Sequence, residues 1–236
     1  MAAIRLIIIS LALIFHYNIA LADDYTLATQ AAKAGKYAQA KSLLTALAEK
    51  GDVRAQAELG GLYIRGAYGD QNVRQGVSWI KSAAERGNAI SQFNLGNLYL
   101  DGKLVPLDYK EAMNWLLKAA AQNVPEAQLN IASMFADGEG VPKDFKESTK
   151  WLRIAAANGN YDAQVALGRA YIQGVGVDKD AVRGFMWGQI ASENTPMSDL
   201  ERNAIRDLAD KTLTRDELAK AREMTKQCKD SKFKDC

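Results

Sequence analysis

The chain has 236 residues, 30 Lys and Arg against 28 Asp and Glu, one His and two Cys. A net charge of +2 is no electrostatic footprint for nucleic acid. Two cysteines rule out a cysteine-rich zinc site, and one histidine rules out a multi-histidine centre.

Met1 to Ala22 reads as a secretory signal peptide. Arg5 is the positive start, Leu6 to Phe15 is an apolar run too short to span a bilayer, and Ala20-Leu21-Ala22 is a small-x-small cleavage pattern before Asp23. His16, Tyr17 and Asn18 interrupt the apolar stretch, which argues against an uncleaved anchor. Cleavage near Ala22/Asp23 removes the single histidine and places the rest of the chain in the periplasm or outside the cell. No later stretch is long and apolar enough to be an integral membrane segment.

Residues 23–51 read as an N-terminal capping helical hairpin that turns at Gly35-Lys36. From there the chain repeats with a period of 36 residues. Gln56, Gln92, Gln128 and Gln164 keep this step, as do Tyr63, Tyr99, Phe135 and Tyr171, and Gly66, Gly102, Gly138 and Gly174. All four tryptophans obey it, at 79, 115, 151 and 187, and Ala83, Ala119, Ala155 and Ala191 follow. Several columns sharing one period mean stacked supersecondary units, and the boundaries fall at 52–87, 88–123, 124–159 and 160–195.

Each unit predicts two helices, A and B. Asp52, Asn88 and Asn160 are N-caps for helix A, and Val124-Pro125 takes their place in the third unit, with Pro at the first helical position. Leu59-Gly60, Leu95-Gly96 and Leu167-Gly168 put a small residue where helix B approaches, and the Gly66 column ends helix A. Asn72, Asp108, Asp144 and Asp180 cap helix B. Gln75, Glu111 and Glu147, three residues on, are expected to complete capping boxes, and Arg183 breaks that column. The tryptophans and alanines share one helical face and are expected in the core. Residues 196–236 signal further capping helices, with Ser198-x-x-Glu201 and Thr214-x-x-Glu217 as capping boxes.

The run Ala-Gln-x-x-Leu-Gly-x-x-Tyr-x-x-Gly, then Gly-Val-x-x-Asp and Ala-x-x-Trp, resembles the Sel-one-like repeat (SLR) family, relatives of the tetratricopeptide repeat. Ala55-Gln56, Leu59-Gly60, Tyr63 and Gly66 carry it in the first unit. Ala127-Gln128, Gly138, Gly140-Val141, Asp144 and Trp151 carry it in the third. Ala67 to Gln71, Lys103-Leu104 and Ala132 depart from the pattern. The resemblance implies an all-α, right-handed α/α superhelical solenoid whose concave face, lined by the A helices, binds another protein or peptide. Positions of helix A outside the shared columns are then the candidates: Phe93, Asn94, Asn97 and Asp101 in the second unit, Leu129, Asn130 and Ser133 in the third, and Arg169 in the fourth. Phe93 supplies apolar contact, and the asparagines supply amides that can bond a peptide backbone.

Chemistry is harder to find. Ser78-x-x-Lys81 matches a penicillin-recognising nucleophile motif, and some cysteine-rich SLR relatives are described as binding or slowly hydrolysing β-lactams. A cell-wall or β-lactam function is therefore the alternative. The Lys-Thr-Gly partner motif is missing, because Leu213 follows Lys211-Thr212. Asp137-Gly138-Glu139-Gly140 lacks calcium-loop spacing, and Asp144 is needed as a cap. No catalytic set, cofactor or metal is expected. Cys228 and Cys236 lie eight apart outside the repeats. In an oxidising compartment they most simply bond to each other, with free thiols or an intermolecular bond as the alternatives.

Overall fold

The computed structural model describes residues 24–67, 72–194, 211–233 and 236. The segment Met1–Ala22, read above as a signal peptide, the cleavage point expected after it and the Ser198-x-x-Glu201 motif lie outside the described residues. Among the described residues there are eleven helices of ten or more residues and no strand. They are α1 (24–33), α2 (Tyr37–Glu49), α3 (Val53–Arg65), α4 (Val73–Glu85), α5 (Ala89–Asp101), α6 (Tyr109–Ala120), α7 (Pro125–Asp137), α8 (Phe145–Ala157), α9 (Tyr161–Gln173), α10 (Ala181–Asn194) and α11 (Arg215–Asp230). None is long and apolar enough to cross a membrane.

The chain forms two compact units, Met1–Leu95 and Gly96–Cys236. In the first, Ala28, Leu44, Leu47, Ala55, Leu59 and Tyr63 form the core, with Trp79 at its margin. In the second, Leu152, Ala155, Leu167, Tyr171, Trp187, Ile190 and Cys228 form the core, and Trp151 packs against its edge.

Three classes of contact recur through the repeats, two of them in all four. Helix A begins on its cap: Asp52 accepts from Arg54 N and Ala55 N, Asn88 from Ser91 N, and Asn160 from Ala163 N. In α7 Pro125 stands at the first turn and the Val124 side chain makes no capping bond. The buried glutamine column then reaches back to the preceding helix B. Gln56 Nε2 donates to Ala48 O, Gln92 Nε2 to Ala84 O, Gln128 Nε2 to Ala120 O and Gln164 Nε2 to Ala156 O, all at 3.0–3.1 Å. These carbonyls lie in the last turn of a helix, where intrahelical donors run out. That need explains why a polar residue recurs in the core.

The third contact corrects the expected capping boxes. The N–H groups of Asn72, Asp108, Asp144 and Asp180 donate to the carbonyls of Tyr63, Tyr99, Phe135 and Tyr171 at 2.8–3.1 Å. A capping box needs that same N–H as the donor to the side chain three residues on. It is already committed here, so Gln75, Glu111 and Glu147 do not complete boxes. Glu111 instead accepts from Trp115 Nε1 at 3.0 Å. Thr214 and Glu217 do form a full box at the start of α11, where no helix A carbonyl competes.

The tryptophan expectation also needs correcting. Trp115 and Trp187 are buried, but Trp79 and Trp151 are only partly buried. In the first repeat the space at the helix crossing is taken up backbone to backbone. A Cβ on Gly60 would come within 2.9 Å of Gly76 O, and one on Gly76 within 2.8 Å of Gly60 O. Gly168 and Gly184 meet in the same way in the fourth.

Beyond the repeats, α11 packs on α10. Thr225 Oγ1 donates to Gln189 Oε1 at 3.0 Å, Lys229 pairs with Glu193, and Phe233 stacks on Trp187 with centroids 6.5 Å apart. Cys228 and Cys236 are joined through their sulfurs, with Cα atoms 5.0 Å apart.

Candidate functional site

The eight groove candidates divide by environment. In the first unit Phe93 and Asn94 are half-buried on α5. In the second, Asp101, Ser133 and Arg169 are exposed on α5, α7 and α9, whereas Asn97, Leu129 and Asn130 are half-buried. Leu129 packs against the core of the second unit. Asp101 holds Lys103 at 2.6 Å, an exposed pair that contributes little to stability.

The structure brings two of these residues into contact. Asn130 Nδ2 donates to Asn97 Oδ1 at 2.6 Å, bridging the A helices of consecutive repeats. The bond uses one donor and one acceptor. Asn97 Nδ2 and Asn130 Oδ1 have no partner among the described residues. A donor and an acceptor side by side are what an extended peptide backbone needs.

Asn97 and Asn130 are 33 residues apart, one helical turn short of the 36-residue period. Tyr25 and Glu58 repeat the offset: Tyr25 Oη donates to Glu58 Oε2 at 2.7 Å. Glu58 occupies the column of Asn130, and Tyr25 lies one period before Gly61, in the column of Asn97. Helix α1 therefore serves as the A helix of a degenerate leading repeat. In the same register Asn94 falls opposite Gly61 and Ser133 opposite Ala166, pairs that lack the side chains for such a bond. The periodic columns alone did not reveal these rungs, because their partners sit in different columns. The signal was an offset of 36 less one turn.

Electrostatics concentrates at the first of these rungs. Burial raises the Tyr25 hydroxyl, and the hydrogen bond and charge of Glu58 add to it, so its pKa reaches about 12. The Arg54 guanidinium lies 4.5 Å from the Tyr25 ring centroid. For Asp52, burial pushes the carboxyl upward, but hydrogen bonds from Arg54 and from the Ala55 N–H outweigh it. They hold Asp52 below the usual carboxylate range.

The remaining sequence motifs are placed as follows. Ser78 and Lys81 are both exposed on α4. Asp144 accepts from Lys146 N and Glu147 N as the cap of α8. Among the described residues no group of three or more His, Cys, Asp or Glu side chains is arranged to hold a metal ion.

The Sel1 repeat family profile matches residues 53–88, 89–124, 125–160 and 162–195. Among solved structures, a protective antigen of uropathogenic Escherichia coli displaying an SLR fold is 33% identical, with a TM-score of 0.75. The alignment covers 88% of this chain but only 45% of that antigen, so the chain spans less than half of its length. A Sel1 repeat protein from Oxalobacter formigenes is 29% identical over 72% of this chain and 69% of its own, with a TM-score of 0.68. A putative Sel1 repeat protein from Klebsiella pneumoniae shares the fold at 19% identity, over 80% of this chain and 93% of its own, with a TM-score of 0.50. No curated protein sequence matches the chain significantly.

Proposed function

The chain belongs to the Sel1 repeat family, and from that premise we propose that it is a non-enzymatic scaffold that binds a partner protein through its A helices. The observation that carries this reading is the Asn97–Asn130 rung. It holds a spare amide donor and a spare amide acceptor in fixed positions on two consecutive A helices. The neighbouring positions Asp101 and Ser133 are exposed, and the Ser133 column differs in every repeat, reading Gly61, Asn97, Ser133 and Arg169. The columns that build the fold lie beneath them. Residues held by a repeated core need little reorganisation on binding, which lowers the entropic cost of association.

We place this scaffold in the periplasm or outside the cell. The Met1–Ala22 pattern supports that location, as do the paired Cys228 and Cys236, which an oxidising compartment would keep joined. The likeness to a protein described as a protective antigen fits it as well. N-terminal sequencing of the protein recovered outside the cytoplasm should begin at Asp23.

A photo-crosslinking residue at Asp101, Ser133 or Arg169 in living cells tests the binding face. A discrete partner adduct is expected from these positions and not from Glu223 or Lys220 on α11. Adducts from neither set, or equally from both, would sink the reading.

A further inference from the structure

The loop between α9 and α10 lies against α8. Thr149 Oγ1 donates to Val175 O at 3.2 Å. Beside this contact is an open depression of about 620 Å³. Five cationic side chains line it: Lys146, Lys150 and Arg153 from α8, Lys179 from the loop and Arg183 from α10. Between them stands Tyr171. Arg153 Nε and Nη2 donate to its hydroxyl at 3.3 and 3.1 Å, and both guanidinium groups lie within 6 Å of its ring centroid, at 5.6 and 5.9 Å. Two acids, Asp178 and Asp180, share the lining. Asp180 caps α10 by accepting from Arg183 N, and its carboxylate lies 3.7 Å from Arg183 Nη1. Lys150 pairs with Glu147. Lys146 and Lys179 have no carboxylate partner among the described residues.

The repeat does not require three of these five charges. One period earlier, the positions of Lys150, Arg153 and Arg183 hold Asn114, Leu117 and Glu147. The same helix pairing is thus built there with neutral or acidic side chains at these three positions, whereas the columns of Lys146 and Lys179 already carry Lys110 and Lys143. Arg183 is also the residue that departs from the Gln75, Glu111, Glu147 column. Cations placed where the fold accepts neutral residues point to a ligand.

We propose that this depression docks an extended acidic segment of a partner protein. Lys146, Lys150 and Arg153 stand at i, i+4 and i+7, along one face of α8. At 1.5 Å per residue the row is about 10 Å long. An extended chain covers that length in about three residues, with alternate side chains about 7 Å apart on one side. Two carboxylates at that spacing fit within the row, whose steps along the helix are about 6 and 4.5 Å, whereas a compact anion such as phosphate spans only one gap in it. Arg153 and Arg183, steadied against Tyr171, offer planar forks suited to carboxylates. The proposal rests on the reading of the chain as a protein-binding scaffold but uses a different set of residues.

Fluorescence anisotropy with the full chain and a labelled peptide of alternating Glu and Gly tests it. Binding is expected, falling with added salt, and a Gln–Gly peptide should not bind. The combined variant Lys150→Asn, Arg153→Leu and Arg183→Glu installs the residues of the preceding repeat. It should weaken binding by at least about tenfold, as loss of complementary charge does. Lys146→Gln with Lys179→Gln, which breaks no bond within the protein, should weaken it several-fold and decides the matter if the first variant unfolds. No binding of the Glu peptide, or equal binding by wild type and both variants, would overturn the proposal. So would tighter binding of a single-stranded oligonucleotide than of the peptide. Crosslinked partner from the A helices without peptide binding defeats this inference alone. Peptide binding without crosslinked partner defeats the A-helix reading alone.

Discussion

The first and third repeats solve the same structural problems with different chemistry. In the first, α3 starts on the Asp52 carboxylate, helix crossing relies on Gly60 against Gly76, and the rung to the preceding A helix is the charged pair Tyr25–Glu58. In the third, α7 starts on Val124-Pro125 without a side-chain cap. Ala132 and Ser148, both buried, occupy the crossing columns, and the rung is the neutral pair Asn97–Asn130. Both repeats keep the glutamine bond to the preceding carbonyl and the bond from the helix B cap to the Tyr or Phe carbonyl. The fold thus depends on satisfying particular backbone groups and on closeness at one crossing. The remaining residues can change, and in the first repeat they have brought in titrating groups.

Exchanging residues between the two repeats tests this distinction. The largest effect is expected at the crossing. Gly60→Ala installs the third repeat's residue, but its methyl would come within 2.7 Å of Ile80 Cγ1 and 2.9 Å of Gly76 O. Backbone must move, and a loss of about 1–3 kcal/mol follows. The reverse change, Ala132→Gly, should cost about 1 kcal/mol, because it adds helix flexibility without a clash. Chemical denaturation of the two variants measures the asymmetry, and equal losses would mean the crossings are equivalent.

A smaller effect is expected at the cap. Asp52→Val should cost about 1 kcal/mol near neutral pH, the usual worth of an N-cap side chain. The sign with pH follows from the depressed carboxyl. Its contribution is complete above the unfolded value of about 3.9 and is lost as pH falls from there through the folded value. The gap between wild type and variant should therefore narrow in acid. Thermal melts across that range check it, and a gap that stays constant would rule out the charged cap.

The smallest effect is expected at the charged rung. Tyr25 should ionise at about 12 in an ultraviolet titration, and Glu58→Gln should bring that value down. Because the folded value is raised, the stabilisation is complete below about 10 and is lost as pH rises toward 12. The neutral Asn97–Asn130 rung contains no titrating group, so Asn130→Ala should show no such alkaline change.

Much of this was legible in residue order. The Asp52, Asn88 and Asn160 caps and the glycine at the Gly60 crossing act as their types and positions implied, because caps and close approaches are local demands. The role of Gln56 and its equivalents was not legible. Their period was plain, but the acceptor is a carbonyl in another helix. The error over the capping boxes has the same origin, since the N–H groups of Asn72, Asp108 and Asp144 were taken by carbonyls outside their own helices. For the candidate site, composition and columns marked which A-helix positions vary, but not which of them touch.

The 36-residue step and the alternation of helix A with helix B follow from the spacing of residue types in the sequence. Buried faces and helix ends impose fixed residue types at fixed intervals. How far one A helix is turned against the next depends on side chains meeting across helices. Only the folded chain shows that Asn97 faces Asn130 one turn out of step, or that five cations line one depression that also includes Tyr171.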